Sequence, residues 1–434
     1  MATAASPRDD LLARAEDGSA RGVVPRRKGG AGGRLPLRVL LCLQAAVAVT
    51  LVAWVYGGPL WAVGAAVPTA AVVVLVVGRR RGRPLVTWAG ALWALRRRQR
   101  AAAGQVLPAA DPLLSFATEC VPGLRSHSFA GPERAGAQQR VWGRDVGMVS
   151  VDGTLTAVLR VEAERKPLQP GRQQRPLPLE LLYGALETDG IRLDSVQCVQ
   201  HTQPAPAPHL PERSVARHSY GPLYAQSGAP ALRLTWVALR LDPELCPEAV
   251  ARRGGGLGGA QRCLTRAADQ LASRLAGAGF RATVLSEAQL LSALAAGASL
   301  NAATTTLMGQ GEGQDSRRTV ESSRTWRCDD RWHTTYEVSR WPELGARVPL
   351  AELVAMLTSL PAFATTFGLT LRREGRDAVA VAGHVRITAR GADELRGVRR
   401  GLEQSARRAR VGLARMDREQ LPGLLATLPL GGVR

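Results

Sequence analysis

Hydrophobic and polar positions fall along this chain in two regimes: one long uncharged run near the N-terminus, then short alternating and helical periods. Residues 39–78 hold no charged side chain. A single helix of that length would measure roughly 60 Å, twice the ~30 Å hydrocarbon core of a bilayer. Gly57-Gly58-Pro59 interrupts the run near its middle, so the pattern predicts two membrane spans, near 39–57 and 59–78, joined by a tight turn. A signal peptide followed by one anchor is the competing reading. The run starts late and is too long for a signal core of ~7–15 residues.

Helical periodicity resumes at Pro84, where a predicted helix to about Arg100 carries Leu85, Trp88, Leu92 and Leu95 on one stripe and arginines in its last turn. Such a helix either lies in the headgroup layer or continues the second span.

Farther on, Val146–Val151 and Leu155–Glu162 alternate around Asp152-Gly153, a strong hairpin signal. A helix near Leu179–Glu187, strands at Ile191–Val199 and Leu232–Leu241, a long helix at Leu257–Ala278, a strand at Arg281–Leu285 and a helix from Glu287 follow. The order then recurs. Strands near Thr325–Cys328 and Thr334–Arg340 precede a helix at Leu350–Leu360, strands at Ala364–Arg372 and Val379–Thr388, and a long helix at Ala392–Arg408. Residues 281–290 align without a gap with residues 412–421, placing Ser286 and Asp417 as matching helix N-caps. Short strand and helix cadences in a biased composition could also coincide by chance.

The predicted fold is therefore an α+β region, two duplicated β-β-α-β-β-α units each with its helices on one face of a sheet, anchored by an N-terminal two-helix transmembrane hairpin. The expected organisation is a disordered basic tail over 1–37, the hairpin over 38–78, a basic juxtamembrane helix over 79–110, a first unit over 111–298, a Gly/Ser/Thr-rich linker over 299–324 and a second unit over 325–434. Residues 164–178 and 202–230 read as Pro/Gln/Arg-rich loops.

Charge orients the hairpin. Between Gly18 and Ala110 stand fourteen Lys/Arg and no Asp or Glu, all outside the short turn between the spans. The positive-inside rule then places both termini in the cytoplasm of a multi-pass plasma-membrane protein. Trp54, Tyr56, Trp61, Arg79, Arg80, Arg81, Trp88, Trp93, Arg96, Arg97 and Arg98 are the candidate membrane-interface residues. The formal charge of +21 argues less for nucleic acid than it first suggests, because only Lys28 and Lys166 are lysine and the arginine excess matches the Ala/Gly/Val-rich composition of a high-GC genome.

Chemistry is sparse. Six scattered cysteines form no C-x-x-C pair, and Cys198 with His201 supplies only two of the three or four ligands a zinc site needs. The glycine-rich segment Arg253–Gly259 lies between a strand and a helix but lacks the G-K-[ST] of a phosphate loop. Asp329-Asp330 could be a metal-binding pair of a glycosyltransferase-like enzyme, or simply a hairpin turn. His127, His201, His209, His218, His333 and His384 have no evident catalytic partner, and Trp236, Trp326, Trp332 and Trp341 read as sheet core. No catalytic residue, cofactor or metal ligand is assigned.

Taken in order, the two-span hairpin, Trp88, Trp93 and Arg96-Arg97-Arg98, the strand ending at Leu241-Asp242-Pro243 before Arg252-Arg253-Gly254-Gly255-Gly256, and Trp326-Arg327 with Trp341-Pro342 resemble EccE, a core component of the actinobacterial type VII (ESX) secretion system. The resemblance implies a non-enzymatic structural membrane subunit. It also implies partners: EccB, the FtsK/SpoIIIE-like ATPase EccC, EccD and membrane lipids, with no specific nucleic acid.

Overall fold

The computed structural model describes residues 79–80, 83–105, 111–130, 145–164, 176–204, 232–310, 317–342, 349–374 and 378–433, with scattered residues from 44 to 71 and residues 215 and 219. Among the described residues twelve strands form one antiparallel sheet: β1 Arg125–Ala130, β2 Asp145–Val151, β3 Thr154–Ala163, β4 Ser195–Gln203, β5 Leu232–Leu241, β6 Phe280–Val284, β7 Thr319–Glu321, β8 Trp326–Cys328, β9 Arg331–Arg340, β10 Ala364–Glu374, β11 Ala378–Ala389 and β12 Gly412–Arg415. The spatial order is β7-β8-β9-β11-β10-β4-β5-β3-β2-β1, with β6 beside β2 on β3 and β12 beside β8 on β9. Among the described residues the α-helices packed with it are α1 Leu85–Ala103, α2 Pro112–Cys120, α3 Leu179–Gly184, α4 Pro247–Arg252, α5 Gly256–Gly277, α6 Glu287–Ala298, α7 Ala302–Gly309, α8 Leu350–Thr358, α9 Ala392–Arg408 and α10 Gln420–Leu425.

The registers repeat about the central ladder. Val199 of β4 lies opposite Gly368 of β10. Taking Val199 to Gly368 carries the pair Gln197↔Ala238 onto Thr366↔Arg386, Val158↔Ala238 onto Thr335↔Arg386, Leu159↔Val284 onto Tyr336↔Arg415, and Val149↔Thr156 onto Trp326↔His333. Both hairpin turns open on an aspartate at positive φ, Asp152 at 46° and Asp329 at 51°. Asp tolerates that conformation better than most residues.

The fold departs from the predicted one in two ways. The halves share one sheet, because β4 and β10 would otherwise be exposed edges and pair with each other instead. Helices also cover both faces. On one face Val237, Leu239 and Leu241 pack with Leu264, Leu271 and Leu275 of α5, while Phe367, Leu369, Val385 and Ile387 pack with Leu353 and Leu357 of α8 and Leu395 and Leu402 of α9. On the other, Val158, Val199, Trp236 and Ala238 pack with Phe116 of α2, Leu290 and Leu294 of α6 and Leu424 of α10. The sequence hides the second face because its buried positions include Thr366, Thr370, Gln197 and Ser195, polar residues that break an apolar alternation.

Local differences follow turn chemistry. Asp189-Gly190, at φ 52° and 73°, closes a two-strand ribbon of Glu187–Thr188 with Ile191–Arg192, so the predicted strand at 191–199 begins instead at Ser195. The linker expected over 299–324 contains α7 and the edge strand β7. Ser286 caps α6 through a full capping box with Gln289. Asp417 does not cap α10, since its carboxylate takes two bonds from Arg415 and the helix begins only at Gln420.

Candidate functional site

α1 is the element through which the N-terminal region meets the sheet. Its Leu, Ala and Arg content favours helix, and its inner stripe is covered by protein. Leu95 is buried, and the Trp88 ring lies under the Arg418 guanidinium, 4.0 Å from its centroid. Arg98 forks onto Glu321 at the end of β7, with Nε to Oε2 and Nη2 to Oε1 both 2.9 Å, and Nη2 also donates to the Arg418 carbonyl at 2.7 Å. Gln99 donates to the Glu321 carbonyl, Arg317 donates to the Ala102 carbonyl, and the Leu421 amide of α10 donates to Glu321 Oε1 at 2.9 Å. The Glu321 side chain is only 7% exposed, so this charge pair works in a partly desolvated setting where geometry counts for more than at an open surface.

Glu119 at the end of α2 fixes the other side of β7. It accepts from the Arg318 and Thr319 amides at 3.2 and 2.9 Å and from the Thr319 hydroxyl at 2.6 Å, and it pairs with Arg317. Side chains of α1 and α2 thus occupy backbone groups of an edge strand that would otherwise be open to pairing.

The outer face of α1 is different. Trp93 is 66% exposed with Arg97 stacked 5.9 Å from its ring centroid, and Arg96, Arg97 and Arg100 all point outward. Of the candidate interface residues, Trp93, Arg96 and Arg97 therefore share one exposed stripe, whereas Trp88 and Arg98 face the domain. Trp54 and Tyr56 lie among helical residues 50–56, where Leu51, Val52, Val55 and Tyr56 are exposed, Tyr56 at 88%. Arg79 and Arg80 form a two-residue strand with Arg83–Pro84. Trp61 and Arg81 lie outside the described residues, as does most of the predicted hairpin at 38–78 and all of 1–37. Among the described residues no helix is long and apolar enough to cross a membrane.

Beneath α6 and α10 lies a buried polar cluster that the sequence did not reveal. Arg386 on β11 is fully buried, and it donates Nε to Thr427 Oγ1 at 2.8 Å, Nη2 to the Gly297 carbonyl and to Thr366 Oγ1, and Nη1 to His333 Nδ1 at 3.2 Å. Burial lowers its pKa to about 9. Gly297 belongs to the last turn of α6 and Thr427 follows α10, so the guanidinium sits where two helix C-termini converge. The partial negative charge at those ends is the natural complement of an unpaired cation. His201 bonds Thr366 through Nδ1, and burial followed by the Arg386 charge lowers its pKa to about 3. His333 is driven well below its ordinary value by the same two causes. Ala238 occupies in the first half the place of Arg386.

The remaining candidates are occupied structurally. Asp329 takes a two-point bond from Arg318 at 2.9 and 2.7 Å and another from the Asn301 amide, while Asp330 accepts from Asn301 Nδ2 and pairs with Arg331. Gly254, Gly255 and Gly256, at φ 96°, 67° and 56°, turn the chain into α5, and Arg262 folds back onto the Arg253 carbonyl at 2.6 Å. The adjoining cavity of about 530 Å³ is walled by apolar groups including Leu155, Pro243, Pro247, Val250 and Leu257. Such a lining supplies few partners for a phosphate. Trp236 and Trp326 are core residues, and Trp332 and Trp341 pack against the core around α8 and α9. The five described cysteines are free, and among the described residues no three acidic, His or Cys side chains come together as metal ligands.

The strand, glycine turn and long helix from β5 to α5, together with Trp326-Arg327 in β8, fall inside the stretch on which comparison with known proteins speaks. No curated protein matches the chain. Residues 229–338, from the approach to β5 well into β9, match the family model described as "Putative type VII ESX secretion system translocon, EccE", which shows the resemblance to EccE over that segment.

Proposed function

We propose that this chain is a non-enzymatic structural subunit of a type VII (ESX) secretion complex, anchored in the plasma membrane by the N-terminal hairpin with both termini cytoplasmic. The family match over residues 229–338 carries the reading. The uncharged run at 39–78, its arginine flanks and the exposed apolar side chains at residues 51–56 support the anchor. Trp54, Tyr56 and Trp61 at its turn, and Arg79, Arg80, Arg81, Trp93, Arg96 and Arg97 after it, then form its interface belts, whereas Trp88 and Arg98 are engaged by Arg418 and Glu321. The repeated registers support an origin of the sheet by duplication, with units near 111–298 and 325–434. EccB, the EccC ATPase and EccD are the proposed partners.

Alkaline carbonate extraction of membranes, combined with reporters fused at each terminus, tests the anchor. The chain should stay with the membrane and both reporters should register cytoplasm. Release into the supernatant, or an external terminus, would remove this reading.

A further inference from the structure

We propose that the outer stripe of α1, formed by Trp93, Arg96, Arg97 and Arg100, binds the phosphates of anionic phospholipids and lies flat in the headgroup layer. The inference rests on the membrane anchor proposed above and specifies what its cytoplasmic end recognises.

Positions 93, 96, 97 and 100 recur at i, i+3, i+4 and i+7, so they line one side of α1. That side is opposite the one fixed by Leu95, Arg98 and Gln99. Arg98 is withdrawn from any lipid role, because its fork is filled by Glu321. The arginines left outward have planar donor forks suited to phosphate, and no acidic residue between Gly18 and Ala110 competes for them.

Trp93 and Arg100 are separated by roughly 10 Å along a helix axis. An upright helix would place them at different depths, whereas a flat one puts ring and guanidinium groups together at the interface, where tryptophan is favoured. The stacking of Arg97 on Trp93 holds a cation and an aromatic ring at one level. Because the inner face is bolted to β7 and α10 through Glu321, binding by the outer face sets the sheet's orientation: its β7 edge faces the bilayer.

The test uses the full chain in lipid nanodiscs, one set of phosphatidylcholine alone and one with an equal share of phosphatidylglycerol, with amide hydrogen exchange read over residues 93–101. Exchange should slow about tenfold or more in the anionic discs, the slowing should vanish in an R96Q/R97Q/R100Q variant, and R98Q, whose exchange is faster in both lipids, should retain the difference between them. Equal exchange in the two lipids, or undiminished protection in the triple variant, would overturn the proposal. Protection that appears in phosphatidylcholine discs only on adding duplex DNA or an acidic protein would also overturn it, assigning the stripe to that partner. Failure of the chain to remain in carbonate-washed membranes would instead strike the anchor itself.

Discussion

Val199 lies opposite Gly368 in the ladder that joins the two halves, and each stands where the other would fall if one half were laid on the other. The pair marks the pivot of the whole sheet. A Cβ on Gly368 would come within 2.5 Å of the Ala426 carbonyl oxygen, so the passage of the chain after α10 depends on the missing side chain. Gly368→Ala should cost about 1–3 kcal/mol in urea unfolding, through forced displacement of packed backbone. Gly397→Ala, an exposed site in the middle of α9 with open space around it, should be neutral or stabilising by up to about 1 kcal/mol.

Arg386 should prove a structural keystone. Arg386→Ala leaves Thr427, Thr366, His333 and the Gly297 carbonyl without their shared donor, and a loss of about 3–5 kcal/mol is expected in thermal or chemical unfolding. Arg386→Lys should recover only part of it, because one ammonium cannot reproduce a planar fork reaching several acceptors. A loss under 1 kcal/mol for the alanine variant would refute this role.

The two buried histidines give the protein an acid-sensitive interior. His201 and His333 are neutral in the fold, with pKa values depressed below the 6.5 of a free imidazole, His201 to about 3. The unfolded chain therefore binds more protons below pH 6.5, and stability present above that value declines as pH falls toward 3. Each histidine can contribute a slope of up to about 1.4 kcal/mol per pH unit. His201→Gln should flatten the stability profile between pH 6 and 4 relative to the unaltered protein, measured by urea midpoints across that range; an unchanged slope would contradict the assignment.

Much of this architecture was legible in the sequence. The hairpin at Asp152-Gly153, α5, α6 with its Ser286 cap, and α9 at Ala392–Arg408 follow directly from period and cap chemistry. The joining of β4 to β10 was not legible, since pairing between residues as far apart as Thr202 and Thr365, or Ser195 and Arg372, leaves no local trace. Arg386 was hidden for a related reason: in sequence it alternates with Val385 and Ile387 as a solvent-facing residue would, and only α6 and α10 closing over it make it internal. The arginines of α1 looked equivalent, and it took the position of Glu321, far along the chain, to divide Arg98 from Arg96 and Arg97.

That division predicts a separable latch. Glu321→Gln or Arg98→Gln should raise amide exchange and protease cleavage across α1, while urea unfolding of the sheet shifts by no more than about 1–3 kcal/mol. Arg96→Gln should leave α1 protected. Equal loosening by all three variants would mean that α1 is held by general charge and not by Glu321.

The proposed function places this chain in a secretion assembly. Membranes extracted in a gentle detergent and purified through a tag on this chain should yield a large complex containing the FtsK/SpoIIIE-like ATPase EccC together with EccB and EccD. Recovery of the chain as a free monomer, under conditions that keep the other subunits associated with one another, would contradict the account.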